Sequence, residues 1–265
     1  MKDIELLFFE LLRLSIGNAD CLSHTPSPKE WSKLYDMAEK QSLLGICFAG
    51  VQRLCNSNEE SYGGMDEHQY LTWMGISAQI QQRNNKMNIY TRKTLEHFRK
   101  SGIACTVLKG QGIATLYGDM AGLRQSGDVD VWLKISRGDL FELSHKELGK
   151  VEGFNSFHIH YQMFEDCEVE AHYKPSGMSS PIREKILMKF CELYQPKTNF
   201  PSLEFNRVYI MLHNYRHLCG HGVGLRQMLD YYYVLEKGFT EKERNESMNW
   251  IERLGMGKFA HASMW

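Results

Sequence analysis

Two carboxylates, Asp128 and Asp130, stand one residue apart in the run Gly127-Asp128-Val129-Asp130-Val131, which continues into Trp132-Leu133. On a β-strand, residues i and i+2 point to the same face, so these two would project side by side. Folding gains nothing from that arrangement, because like charges repel and resist burial. A divalent cation between them removes the conflict. Mg²⁺, which takes oxygen ligands and sits between carboxylates and substrate phosphates, is the natural candidate, with Mn²⁺ as a substitute. The chemistry suggested is metal-assisted phosphoryl or nucleotidyl transfer. The competing reading is that Asp128 caps a turn and Asp130 lies on an exposed sheet face.

A strand carrying this pair needs neighbours. Upstream, Ile103–Leu108 is short, apolar and flanked by glycine, as a buried strand would be. Lys109-Gly110-Gln111-Gly112 then opens a segment in which Ile113, Leu116 and Tyr117 share a helical face. At such a turn, backbone N–H groups and the positive end of the helix dipole face an anion. Lys109 adds a point charge within reach of a phosphate. Arg124, four residues before Asp128, has two uses: a bidentate grip on a phosphate, or an ion pair that holds Asp128. Downstream, His158, His160 and Gln162 alternate with Ile159, Tyr161 and Met163, and Glu165-Asp166 marks a hairpin turn. Glu168, Glu170 and His172 then share one face of the returning strand. Glu170, flanked by Val169 and Ala171, is the candidate third acid, whereas Glu168 lies nearer the turn and is expected to be solvated.

The stretch LKGQGIATLYGDMAGLRQSGDVDVWL, with the later EVEAHY, resembles the uncharacterised nucleotidyltransferase family within the DNA polymerase beta-like superfamily. That superfamily's pattern is a Gly-rich turn opening a helix, an Asp-x-Asp strand and a third acidic strand. Here the matching residues are Gly110 and Gly112, Asp128 and Asp130, and Glu170. Residues 103–173 carry the resemblance, and the later helices, with His213, His221 and Asp230, follow it loosely. The sequence departs from the superfamily in three ways. Lys-Gly-Gln-Gly replaces the usual Gly-Ser or Gly-Gly, the gap to the first Asp is longer, and the third acid is Glu. The resemblance implies an α+β fold: a mixed sheet of five or so strands, a nucleotidyltransferase palm, flanked by N-terminal and C-terminal helical regions. It also implies binding of an NTP and Mg²⁺. In the two-metal scheme, Asp128 and Asp130 would bind both ions and Glu170 the one at the nucleophile. Gly110 and Gly112 would approach the β- and γ-phosphates, with Lys109 or Arg124 neutralising them. The expected reaction is transfer of a nucleoside monophosphate from an NTP, ATP foremost, to a hydroxyl of a small-molecule or protein acceptor.

The chain of 265 residues has room for one large or two small domains. A formal net charge of −1 provides no global basic field, which argues against long nucleic acid as a partner. Seven scattered cysteines without a Cys-x-x-Cys pair suit reduced thiols in the cytoplasm. Acidic residues interrupt the apolar N-terminal stretch, so no signal peptide or membrane span is expected.

Three regions follow from the patterning: helical residues 1–100, an αβ segment over 101–175, and helical residues 176–265. Helices are expected around residues 6–14, 28–37, 46–55 and 66–100, with a loop over 56–64. A helix over 137–150 should join two strands, and further helices are expected at 181–194, 204–219, 224–237 and 241–258. His213, His217 and His221 fall at i, i+4 and i+8 and could form a metal face on one helix. Packing or capping is the plainer account of them, because Gly220 and Gly222 should end that helix. Tyr231-Tyr232-Tyr233 reads as helix core and surface rather than a base-stacking platform, and Trp73 and Trp132 as core. Two competitors to the enzyme remain: a catalytically inactive nucleotide-binding or toxin–antitoxin-like regulatory module, and a histidine-dependent metal hydrolase on the C-terminal helices.

Overall fold

The computed structural model of the chain describes residues 2–57, 61–146, 151–154 and 156–264. These residues fall into two compact units.

The first unit comprises Met1–Lys86 with Gly118–Ser126 and Gly224–Arg226. It contains helices α1 (Lys2–Ser15), α2 (Pro28–Lys40) and α3 (Leu44–Ser57) and the first half of α4 (Glu67–Lys100). Helix α2 begins at Pro28 as expected, with Ser27 as its cap. The Ser27 side chain accepts from the Glu30 N–H while the Glu30 carboxylate accepts from the Ser27 N–H, a reciprocal cap with Pro28 behind it. Helix α3 runs two residues past its expected end, and residues 58–60 of the expected loop lie outside the described residues. Trp31 and Trp73 meet edge to face at 6.2 Å in the core. Each indole N–H donates to a backbone carbonyl, Trp31 to Gly63 and Trp73 to Leu44, so neither donor is lost on burial. A Cβ at Gly50 would stand 2.4 Å from Ser15 Oγ, which is why glycine is needed where α3 crosses α1. The segment leading into Gly127 is tied down by one buried side chain. Asn84 Nδ2 donates to the Gly122 and Arg124 carbonyls at 2.6 and 2.7 Å, and its Oδ1 accepts from Ser126 Oγ at 2.6 Å.

The second unit comprises Met87–Tyr117, Gly127–Val223 and Gln227–Trp265. After α4 come β1 (Cys105–Val107), α5 (Lys109–Ala114), β2 (Val129–Leu133), α6 (Arg137–Lys146), β3 (Val151–Phe154), β4 (His158–Phe164) and β5 (Cys167–His172). Helices α7 (Pro181–Leu193), α8 (Leu203–Gly220), α9 (Leu225–Glu236), α10 (Glu241–Arg253) and α11 (Gly257–Ser263) complete the chain. The strands form one sheet in the order β1-β2-β5-β4-β3, with β2 and β5 parallel and the other neighbours antiparallel. This is the expected mixed α+β architecture.

Alternation along the strands divides the sheet into two faces. Val107, Val131, Leu133, Ile159, Val169 and Ala171 point into a core shared with Met87 and Phe98 of α4 and Leu140 of α6. On the opposite face, Trp132 stacks on Phe205 of α8 at 5.9 Å, and Phe205 in turn meets Phe190 of α7 and Tyr209. Helix α8 is thereby anchored over that face.

Several expected elements differ. Asp128 lies just ahead of β2 rather than on it. The helix opened by Lys109 lasts six residues and passes into a 3₁₀ stretch, Thr115–Leu123, broken at Gly118 with φ +57°. Ile113 and Tyr117 are nonetheless buried as their spacing suggested. Residues 147–150 of the helix expected after Arg137 lie outside the described residues. The single helix expected over 241–258 is two, because Gly255 (φ +78°) turns the chain out of α10. Tyr231 and Tyr233 are buried, as are Trp73 and Trp132.

Candidate active site

Strand pairing decides which side chains meet. Residues directly opposite one another in adjacent strands share a face. The parallel register sets Asp130 of β2 opposite Glu170 of β5. The antiparallel register sets His158 and His160 of β4 opposite His172 and Glu170. Five ionisable groups therefore stand on the face that looks away from the apolar core. Asp128, at the entrance to β2, joins them: one carboxylate oxygen from each of Asp128, Asp130 and Glu170 lies within 4.8 Å of the others. Cation-bound oxygens about 2.1 Å from Mg²⁺ sit about 3 Å apart in adjacent positions, so small side-chain movements bring these three into a shared shell.

Lys109 delivers positive charge to this cluster. Its backbone adopts φ +41°, a left-handed conformation that costs a non-glycine residue about 1–3 kcal/mol. From there its ammonium lies 2.5 Å from Asp130 Oδ1 and 3.6 Å from Glu170 Oε2. Burial works against the charge on Lys109, but Asp130, Tyr209 and the other two carboxylates outweigh it and raise its pKa. His172 Nε2 stands 3.1 Å from Asp130 Oδ1 and 3.2 Å from Glu170 Oε2. Because carboxylates only accept, this nitrogen carries the proton. Burial alone would raise the Glu170 pKa, yet the His172 hydrogen bond and the Lys109 charge hold it down at about 2. His158 goes the other way: burial, then the charges of His172, His160 and Lys109, push it down to about 3, so its imidazole is neutral at pH 7.

The cluster opens onto a cleft of about 300 Å³ lined by Lys109, His158, Glu170, His172, Tyr209 and Arg216, among others. Arg216 lies 4.4 Å over the Phe157 ring and donates to Ser176 Oγ.

Of the residues singled out in the sequence, Lys109, Asp128, Asp130 and Glu170 come together. A Cβ at Gly110 would be 3.7 Å from the Asp128 carbonyl, an ordinary contact beside the cluster. Gly112 is turned toward β1, where a Cβ would stand 3.0 Å from the Val107 carbonyl, so its absence of a side chain lets α5 close on the strand. Arg124 is buried in the first unit. His213 and His217 meet edge to face at 4.4 Å and line the same cleft with His221, which follows the last residue of α8. Neither group of potential metal ligands among the described residues includes them. Glu168, expected to be solvated, is 41% exposed and pairs with His160 Nδ1 at 2.9 Å.

Sequence reasoning gave no role to His158, His160 or His172. Their alternation with apolar residues was the available signal, but the register that faces them toward Glu170 depends on an irregularity between Tyr161 and Phe164.

No curated protein and no solved structure matches the chain. A family model described as "Uncharacterised nucleotidyltransferase" matches residues 27–265, spanning both helical regions as well as the sheet. The chain belongs to this uncharacterised nucleotidyltransferase family.

Proposed function

We propose that the protein transfers a nucleoside monophosphate from an NTP, ATP foremost, to a hydroxyl of a small-molecule or protein acceptor and releases pyrophosphate. The observation that carries this reading is the convergence of Asp128, Asp130 and Glu170 within 4.8 Å in a chain of nucleotidyltransferase family. All three offer carboxylate oxygens, a donor set that fits Mg²⁺ or Mn²⁺. When bound, such ions neutralise the triphosphate and lower the pKa of the attacking hydroxyl. The chain's own residues hold and orient the reactants. Asp128, Asp130 and Glu170 are the metal-holding acids. Lys109 supplies charge for the phosphates, and Gly110 leaves the turn open to them, with Gly112 fixing the turn against β1, whereas Arg124, buried in the first unit, takes no part. Arg216 adds a cation to the lining of the cleft. The acceptor oxygen attacks the α-phosphorus, the α–β anhydride bond breaks, and the hydroxyl proton passes to solvent. Positioning and electrostatics supply most of the rate in such chemistry.

Seven free thiols suit a reducing compartment, and we place the protein in the cytoplasm. One observation favours the alternative of an inactive nucleotide-binding module: the Lys109 ammonium already lies on Asp130.

Calorimetric titration with ATP, with and without Mg²⁺, tests the assignment. Mg²⁺-dependent binding should disappear in Asp128→Ala/Asp130→Ala. Retention of that binding by a folded double variant defeats the proposal. With an acceptor in hand, Asp130→Ala should slow transfer by about 10³-fold or more.

A further inference from the structure

Glu170 has two oxygens, and they face different company. Its Oε2 is 3.6 Å from Lys109 and 3.2 Å from His172 Nε2, on the side of the carboxylate triad. Its Oε1 is 3.9 Å from His158 Nε2 and 3.8 Å from His160 Nδ1. We propose that His158, His172 and Glu170 form a second cation site, distinct from the three-carboxylate site, that selects a first-row transition ion such as Zn²⁺, Fe²⁺ or Mn²⁺ over Mg²⁺.

Three observations support this assignment. One nitrogen from each histidine and one oxygen of Glu170 lie within 4.8 Å of one another. Metal–ligand bonds of about 2.0–2.2 Å place adjacent donors about 3–3.5 Å apart, so the set needs only a modest contraction. Secondly, both histidines are buried, at 5% and 1% exposure, on paired strands, and their positions are therefore set by the sheet rather than by solvent. Thirdly, His158 Nε2 lies 2.7 Å from His160 Nε2. One proton satisfies that pair, and the contact holds the His158 ring beside Glu170. Two imidazoles and one carboxylate with open positions are the donor set of transition ions, whereas Mg²⁺ prefers oxygen alone. Glu170 would belong to both sites, and His172 Nε2 would release to solvent the proton it holds against Asp130 and Glu170 when the ion binds. This inference needs no nucleotidyl transfer, and its test is read without nucleotide.

The probe is Co²⁺, added to untagged, chelator-stripped protein and followed by its visible d–d absorption, with Zn²⁺ as the displacing ion. Wild type should bind tightly enough to give bands at one equivalent. His158→Ala and His172→Ala should each weaken binding at least 100-fold, while His213→Ala, a cleft residue outside this ligand group, should bind as wild type does. Equal Co²⁺ binding by folded His158→Ala and His172→Ala, or no bands from wild type, overturns the site. If either histidine variant fails to fold by far-UV circular dichroism, X-ray absorption of Zn²⁺-loaded wild type decides. Imidazole scattering from two histidines supports the site, and an oxygen-only shell overturns it. Loss of ATP binding in the Asp128→Ala/Asp130→Ala test while the cobalt bands persist bears on the triad and leaves this site standing.

Discussion

Along β5, Cys167, Val169 and Ala171 face one way and Glu168, Glu170 and His172 the other, although all six belong to one short strand. The first set is buried among aliphatic side chains of β1, β2, α4 and α6, where dispersion and the removal of apolar surface from water favour the fold. The second set faces a cleft with acids, imidazoles and a lysine, where charges are held near like charges and stability gains little. The two-residue period of a strand allows this division. One face can be given over to holding the sheet together, which leaves the other able to carry groups that folding alone would not select.

The sharpest way to break this division is to move a charge across it. Val169→Asp buries an unpaired carboxylate against Val131 and Ile159, at a cost comparable to the whole stability of a domain. No cooperative unfolding transition should be seen by circular dichroism; a native-like melt would mean that the core face tolerates charge. Leu133→Ala leaves a hole on the same face and should cost about 2–5 kcal/mol in urea unfolding.

The site side is sharpened by pH. Burial, then the charges of Lys109 and His217, hold His213 well below its ordinary range. The unfolded chain takes up a proton at this residue as pH falls through about 6.5, and the folded protein does not. Its contribution is therefore fully present above that pH and lost progressively below it, at up to about 1.4 kcal/mol per pH unit. Urea unfolding at pH 7.5 and 5.5 should show a smaller drop for His213→Gln than for wild type; equal drops would remove His213 from the account. The smallest effect is expected at Glu168→Gln, where the exposed pairing with His160 should be worth less than about 1 kcal/mol. A larger loss there would show that the outer end of β5 belongs with the structural face.

Much of this arrangement can be read without coordinates. The start of α2 at Pro28, the strand of Val129–Leu133, the turn at Glu165-Asp166 and the exposure of Glu168 all follow from local rules about helix ends, alternation and turns. The histidines were legible as residues but not as a cluster. A regular hairpin continued from the Phe164–Cys167 pair would set Tyr161 opposite Glu170 and turn His158 and His160 to the core side. The bulge between Tyr161 and Phe164 shifts the register by one residue, and His160 takes that place. No composition or periodicity announces a bulge. The place of Lys109 was hidden for a similar reason, since a φ of +41° at a non-glycine residue is a property of the packed turn rather than of its sequence.

The ammonium of Lys109 beside Asp130 has a consequence for the order of events in the protein's life. Carboxylates gathered without a counterion oppose folding, and many metal-binding domains must wait for their ion before they can fold. Here a covalently attached cation is present from the moment of synthesis. On the proposed reading, ribosomal production and metal supply become separate clocks: the chain matures at its own pace, and the ion can arrive, exchange or run short later without the protein being lost to unfolding.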